Sequence, residues 1–167
     1  METYKVIEGF ENYSVSDFGN VKNNKTHRIL KFNTHARGYK KVALSVNGVM
    51  FHRLAHRLVA TAFIVNTEMK DCVDHIDNDT SNNHVINLRW ATVSENQHNR
   101  KVNKNSSTGV KGIYFHKASQ TWQPRIMSNG VYVRLGSFDT LEGAKQARIK
   151  SANEAFGVFT HSSEKTI

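Results

Sequence analysis

The residues with the most chemistry in this chain fall between Val73 and Arg100, in the stretch VDHIDNDTSNNHVINLRWATVSENQHNR. Asp74 offers a hard anionic oxygen, Asn96 a neutral amide oxygen, and His75 an imidazole next to the carboxylate. Two oxygen donors from the protein leave several positions on a Mg2+-like ion for water and a substrate phosphate. An ion held in that way can polarise a phosphodiester and stabilise the leaving oxygen. An imidazole titrates near neutrality, so His75 suits the removal of a proton from attacking water. Other readings of the stretch are weaker. An Asp-His pair alone is common, and DNDTSNN (77–83) lacks the central Gly and closing Glu of a calcium loop. His98 stands two residues beyond Asn96, about 200° around a helix, and would point elsewhere.

These side chains need elements to carry them. Val73 belongs to a strand that delivers Asp74 and His75. The Asp- and Asn-rich loop after it can hydrogen-bond its own backbone and so hold an irregular shape. Asn87 to Trp90 reads as a returning strand, and Ser94 as the cap of a helix starting near Glu95, with Asn96 in its first turn. A strand pair followed by a helix lets Asp74, His75 and Asn96 converge.

Residues 1 to 51 read as short strands. YSVSDFGNV (13–21) has a turn at Asp17 to Asn20 that includes Gly19. KKVALSVNGVMFH (40–52) is a hairpin, because Asn47-Gly48 separates two alternating runs and both residues tolerate positive φ. In HRLAHRLVATAFI (52–64) Leu54, Ala55, Leu58, Val59 and Ala62 recur at helical spacing. The other face of that helix carries His52, Arg53, His56 and Arg57. It is either a solvated face or a set of phosphate-backbone contacts, and the basic balance of the chain favours the second.

KVNKNSSTG (101–109) is polar and reads as a linker. Three strand-like runs follow, GVKGIYFHK, TWQPRIM and VYVRLGSF, with a tight turn at Asn129-Gly130. DTLEGAKQARIKSANEAF (139–156) reads as a helix opened by a capping box of Asp139 and Glu142. Leu141, Ala144, Arg148, Ala152 and Ala155 share its face, and their small side chains let it sit close on a sheet. THSSEKTI (160–167) is expected to fray.

The totals bound the partners. A length of 167 residues suits one domain or two to three small modules. A hydrophobic share of 38% implies a thin core in each module. No apolar run approaches the roughly 18 residues of a membrane span. No secretory leader is apparent, so the protein is expected to stay in the cytoplasm where it is made. The lone Cys72 excludes an internal disulfide and a multi-cysteine zinc site, and reads as a small buried hydrophobe. The net charge of +9, from 23 Lys and Arg against 14 Asp and Glu, favours a polyanionic partner. Nucleic acid comes first. An anionic membrane comes second, since no Lys/Arg block of the anchoring kind is present.

Asp74-His75, eleven residues, Asn87, eight residues and Asn96 together resemble the HNH nuclease motif in its ββα-metal form, as found in homing endonucleases of phages and their introns. The resemblance implies that Asp74 and Asn96 bind one divalent ion, Mg2+ or Mn2+. It makes His75 the general base, and makes Asn87 the residue that holds the loop and so places the His75 ring. IEGFENYSVSDFGNVKN and HRLVATAF resemble the NUMOD4 module that precedes such nucleases and binds DNA. GVKGIYFHK, TWQPRI, YVRLGSFDT and the alanine-bearing helix resemble an AP2 DNA-binding domain, whose sheet lies in the major groove. Alternation then turns Ile113, Phe115, Val133 and Leu135 to the helix, and Tyr114, His116, Arg125, Tyr132 and Arg134 to DNA. Arg can read guanine edges or hold phosphate there. Met127 departs from the Arg common at its position, and Trp122 reads as a core anchor. Arg89, Arg100 and Lys111 complete the expected DNA contacts.

The expected fold class is α+β: a ββα-metal nuclease core, a hairpin-rich N-terminal module, and a C-terminal three-stranded antiparallel sheet with a helix. The expected divisions are 1–51 (NUMOD4-like), 52–103 (HNH nuclease), 104–107 (linker), 108–159 (AP2-like) and 160–167 (tail). The expected function is a metal-dependent, site-selective DNA endonuclease that nicks once per active site. Its partner is double-stranded DNA, bound as a monomer or weak dimer, inside the host of a phage or similar mobile element. The alternative is a DNA-binding regulator with a vestigial nuclease site. An RNA-binding module lacks the aromatic motif it would need.

Overall fold

Short alternating runs and tight turns dominate the first half of the computed structural model, which describes residues 1–103, 105–106, 108–128 and 130–164. Strands β1 (Tyr4–Ile7), β2 (Phe10–Ser16) and β3 (Val21–Asn23) form one antiparallel sheet in that order. Strands β4 (Asn33–Thr34), β5 (Lys40–Val46) and β6 (Val49–Leu54) form a second. Asn47 and Gly48 take φ of 50° and 80°, the positive pair that the β5–β6 hairpin turn needs. Helix α1 (Ala55–Phe63) follows β6 directly. The helical periodicity therefore starts later than the sequence suggested. His52 and Arg53 lie in β6, because pairing with β5 continues through Lys41↔Leu54.

Strand β7 (Cys72–His75) pairs antiparallel with β8 (Leu88–Ala91), and helix α2 (Val93–His98) comes next. The cap of α2 is Thr92 rather than Ser94. Its Oγ1 accepts from Glu95 N at 3.2 Å, and the Glu95 carboxylate accepts from Thr92 N at 2.6 Å. This reciprocal capping box starts the helix two residues earlier than expected.

The core of this half ignores the expected boundary at 51/52. Seven of its buried apolar residues (Ile7, Phe10, Tyr13, Val15, Val21, Val42, Leu44) precede that boundary, and five (Leu58, Val59, Ala60, Val73, Leu88) follow it. Neither set closes a core without the other, so the strands of 1–54, α1 and the β7–β8 pair share one core. The chain splits into two compact units, Met1–Asn96 and Gln97–Ile167.

In the second unit, β9 (Ile113–His116), β10 (Thr121–Ser128) and β11 (Val131–Arg134) form an antiparallel sheet with β10 central. Helix α3 (Leu141–Phe156) packs on it. Thr140, not Asp139, is the N-cap: its Oγ1 accepts from Gly143 N at 3.2 Å. Ala144, Arg148 and Ala152 are buried as the spacing predicted, while Ala155 is exposed. Register places Ile113, Phe115, Trp122, Ile126 and Val133 on one face of the sheet. Ile113, Ile126 and Pro124, the partner of Ile113 across the sheet, are buried on that face, while a single helix along β10 leaves the margins uncovered. Phe115 is exposed and packs on half-buried Trp122, with ring centroids 4.8 Å apart.

The expected turn at Asn129-Gly130 falls partly on Asn129, outside the described residues. The segment expected to fray is docked over residues 160–164. Thr160 Oγ1 donates to Ala152 O at 3.0 Å, and Asn153 Nδ2 donates to Glu164 O at 2.8 Å. The Glu164 side chain, 1% exposed, meets Arg148 at 3.2 Å and Lys111 at 3.6 Å in ion pairs that lack hydrogen-bond geometry. No helix among the described residues is long and apolar enough to cross a membrane.

Candidate functional site

The β7–β8 register decides the environment of the two leading residues. It sets Asp74 opposite Arg89 and His75 opposite Leu88, and directly opposed residues share a face. Arg89 therefore closes on Asp74. Its Nε and Nη2 lie 2.8 and 2.7 Å from Asp74 Oδ2. Two charge-assisted bonds to one oxygen make a strong pair, and Asp74 is 4% exposed. Arg89, expected on DNA, is instead the counter-charge of the carboxylate.

His75 is buried at the end of β7. Its Nε2 lies 3.2 Å from Asn83 Oδ1. The rings of His56 and Tyr39 pack against it with centroids 5.0 and 5.9 Å away, and those two rings are 5.0 Å from each other. His56 is the second correction among the DNA candidates. The buried arc of α1 runs through Ala55, His56, Leu58, Val59 and Ala60, so this imidazole points inward. Its Nδ1 is buried without a hydrogen-bond partner. Burial, and then the nearby His75 and Arg57, push its pKa down to about 3, which keeps the ring neutral.

Asn87 holds the loop between the strands. Its Nδ2 donates to Asp77 Oδ1 and to Asn82 O, both at 2.9 Å, and its Oδ1 accepts from Asp77 N at 3.0 Å. The hydrogen bonds of the Asn87 side chain thus go to the loop, while Asn83 meets the ring of His75. Asp77 also accepts from Asp79 N at 2.8 Å and from Asn82 Nδ2 at 2.7 Å. Burial pushes the Asp77 carboxyl up, but these donors outweigh it and hold the group below the usual range. Asn96, the second proposed ion ligand, is half-buried in α2, where its N–H closes the first turn on Thr92 O at 3.0 Å.

Among the described residues, no three His, Cys, Asp or Glu side chains gather as a metal-ligating set. The expected donors are one carboxylate and one amide, which suit a hard cation that keeps waters and takes phosphate oxygens. The Asp74 environment fits that use. A carboxylate has about four lone-pair sites, so the pairing of Oδ2 with Arg89 is compatible with a cation at the same group.

The basic candidates separate into two regions. His52, Arg53 and Arg57 are exposed and line a groove of about 580 Å³ between β1, β6 and α1. The Arg53 guanidinium lies over the rings of Phe10 and Phe51 at 5.1 and 5.4 Å, and Arg57 Nη2 donates to Asp71 O at 2.7 Å. In the second unit, register puts Tyr114, Arg125, Tyr132 and Arg134 on one exposed sheet face, with His116 beside them. Arg125 stacks over Tyr132 and Tyr114 at 4.5 and 5.4 Å. Arg100 is exposed after α2. Lys111 is the third correction. Its Nζ donates to His98 O at 2.7 Å and pairs with Glu164, so the amine is spent inside the unit, and burial pushes its pKa down.

Sequence reasoning missed three contributors: Asn83, Tyr39, and the pairing role of Arg89. The register Asp74↔Arg89 was implied once the two strands were aligned. Asn83 and Tyr39 carried no local signal.

Two family models match parts of the chain. Residues 2–45 match the NUMOD4 motif, and residues 53–98 match the HNH endonuclease family. The chain carries a NUMOD4 motif followed by an HNH endonuclease module. Its relatives include an uncharacterized HNH endonuclease, L247, of Acanthamoeba polyphaga mimivirus, 46% identical over 93 residues. That alignment covers 54% of this chain and 23% of the relative. The DNA endonuclease I-HmuI of Bacillus phage SP01 is 37% identical over 98 residues, covering 58% of this chain and 56% of that protein. A solved structure described as DNA binding and cleavage by the HNH homing endonuclease I-HmuI matches with a TM-score of 0.56 and 28% identity. It covers 93% of this chain and 83% of that one. The chain spans about a quarter to somewhat over half the length of the curated relatives it matches.

Proposed function

We propose that this protein is a metal-dependent, site-selective DNA endonuclease of the homing type. The observation that carries the reading is the buried Asp74–His75 pair at the end of β7, with the carboxylate on Arg89 and the imidazole on Asn83. A buried carboxylate beside a buried imidazole is costly to maintain unless the pair has a use. Asp74 and Asn96 would hold one divalent ion, Mg2+ or Mn2+. When bound, such an ion supplies charge stabilisation at a phosphodiester oxygen. His75 takes the proton from the attacking water, Arg89 orients the Asp74 carboxylate through its Oδ2, and Asn87 closes the loop behind them. One site per chain makes the unit act a nick, which leaves 5′-phosphate and 3′-hydroxyl ends.

The remaining residues supply affinity and register. His52, Arg53, Arg57 and Arg100 suit phosphate contacts. The Tyr114, His116, Arg125, Tyr132 and Arg134 face of the second unit is read as an AP2-like surface for the major groove of double-stranded DNA, engaged by a monomer or weak dimer. A supercoiled plasmid incubated with Mg2+ tests the whole reading. Wild type should nick it, while Asp74→Ala and His75→Ala should bind DNA and leave it closed. Binding without nicking by all three would establish the alternative, a DNA-binding regulator.

A further inference from the structure

Asn83 is a buried polar side chain, 6% exposed, to which the hydrolytic scheme gives no step of its own. Both ends of its amide are committed. Nδ2 donates to Ser81 O at 3.3 Å, which turns Oδ1 toward His75 Nε2 at 3.2 Å. An amide oxygen only accepts hydrogen bonds. The proton of a neutral His75 ring therefore stands on Nε2, and the basic lone pair is on Nδ1.

Asn83 is itself located by the turn that joins β2 to β3. Gly19 has φ of 89°, and a Cβ there would lie 2.7 Å from Asn83 Cβ and 3.2 Å from Asn83 O. The same turn grips the next residues. Asp17 O accepts from Val85 N at 2.8 Å, and the Phe18 ring stands edge-on to His84 at 4.3 Å. Three consecutive residues, 17 to 19, thus brace 83 to 85. Tyr39, from the segment before β5, adds its ring to the wall around His75.

We infer that Asn83 is a positioning residue which fixes His75 in its Nε2–H tautomer with Nδ1 as the base, and that the Gly19 turn of the NUMOD4 motif holds Asn83 in place. The motif then completes the hydrolytic site from behind, in addition to any contact it makes with DNA. The catalytic consequence rests on the nuclease reading. The tautomer does not, because it is a property of the resting protein.

The full chain labelled with ¹⁵N-histidine gives the test, through long-range ¹H–¹⁵N correlations of His75 at a pH where the ring is neutral. Wild type should show the Nε2–H pattern. Asn83→Asp, which keeps an acceptor, should retain it. Asn83→Leu should lose it, and Gly19→Ala should lose it by displacing Asn83. In plasmid nicking with Mg2+, Asn83→Leu and Gly19→Ala should lower turnover by roughly 100-fold with KM little changed, as for a misplaced catalytic group. Asn83→Asp should recover part of that loss. An Nδ1–H pattern in wild type, or a His75 pattern unmoved by Asn83→Leu, overturns the assignment. A pattern lost in Asn83→Leu but intact in folded Gly19→Ala overturns the brace. If the tautomer follows Asn83 while wild type nicks no DNA, the positioning role stands and the nuclease reading fails.

Discussion

Replacing His56 by Phe should remove an acid lability that the wild-type fold carries. His56 is buried with its Nδ1 unpartnered, and its pKa falls from 6.5 to about 3 on folding. The unfolded chain binds a proton at this ring below its ordinary value, and the folded chain refuses it down to about 3. Stability is therefore intact above the unfolded pKa and is lost as pH drops beneath it. With those two values, lowering the pH from about 7.5 to about 5 removes about 2 kcal/mol, and stopping at about 4 removes about 3 kcal/mol. The burial of His161 acts in the same direction, and several carboxylates with lowered pKa add their own losses in acid. The comparison of wild type with His56→Phe cancels those contributions. Urea unfolding followed at amide resonances of Val15 and Leu44, both in the core of the first unit, reports that unit alone. Wild type should lose about 2 kcal/mol more than the variant between the two higher pH values. Identical pH dependence in the two proteins would refute the neutral, buried state assigned to His56.

Three further outcomes test separate parts of the structure. Arg89→Met strands the buried Asp74 carboxylate, and should cost about 3 kcal/mol in urea unfolding of the first unit at neutral pH. Glu164→Ala leaves Arg148 and Lys111 facing each other in the interior, and should speed amide exchange along α3 by on the order of 100-fold. Arg125→Ala should weaken binding to a short duplex and flatten the dependence of log affinity on log salt by about one if the guanidinium holds a phosphate. An unchanged slope with altered sequence preference would make Arg125 a base reader instead.

Much of the site was legible in the sequence because its parts are close together in the chain. Asp74 and His75 are adjacent, and the spacing to Asn87 and Asn96 fixed a strand, a loop, a return strand and a helix. Asn47-Gly48 announced its hairpin because few residues tolerate two positive φ values in succession. Period-2 alternation assigned Tyr114, Arg125, Tyr132 and Arg134 to one sheet face without any knowledge of the partner strand. The fate of individual polar groups was not legible in the same way. Thr92 and Thr140 displaced Ser94 and Asp139 as caps, because a cap depends on where the helix backbone begins and several nearby residues could serve.

The sequence by itself determined which atoms are available for chemistry: a carboxylate, an imidazole and an amide at nuclease spacing, in a basic chain. Tertiary structure alone decided which of those charges face outward. Arg89, Lys111 and His56 look alike in a sequence, as basic residues free to meet phosphate. Strand register turned the first onto Asp74, the docked 160–164 segment captured the second, and the buried arc of α1 enclosed the third. Gly19 and Asn83 are separated by 63 residues, and only chain folding sets them against each other. The physical reason is that composition and period are local properties, whereas desolvation and charge pairing depend on what the rest of the chain brings within a few ångströms.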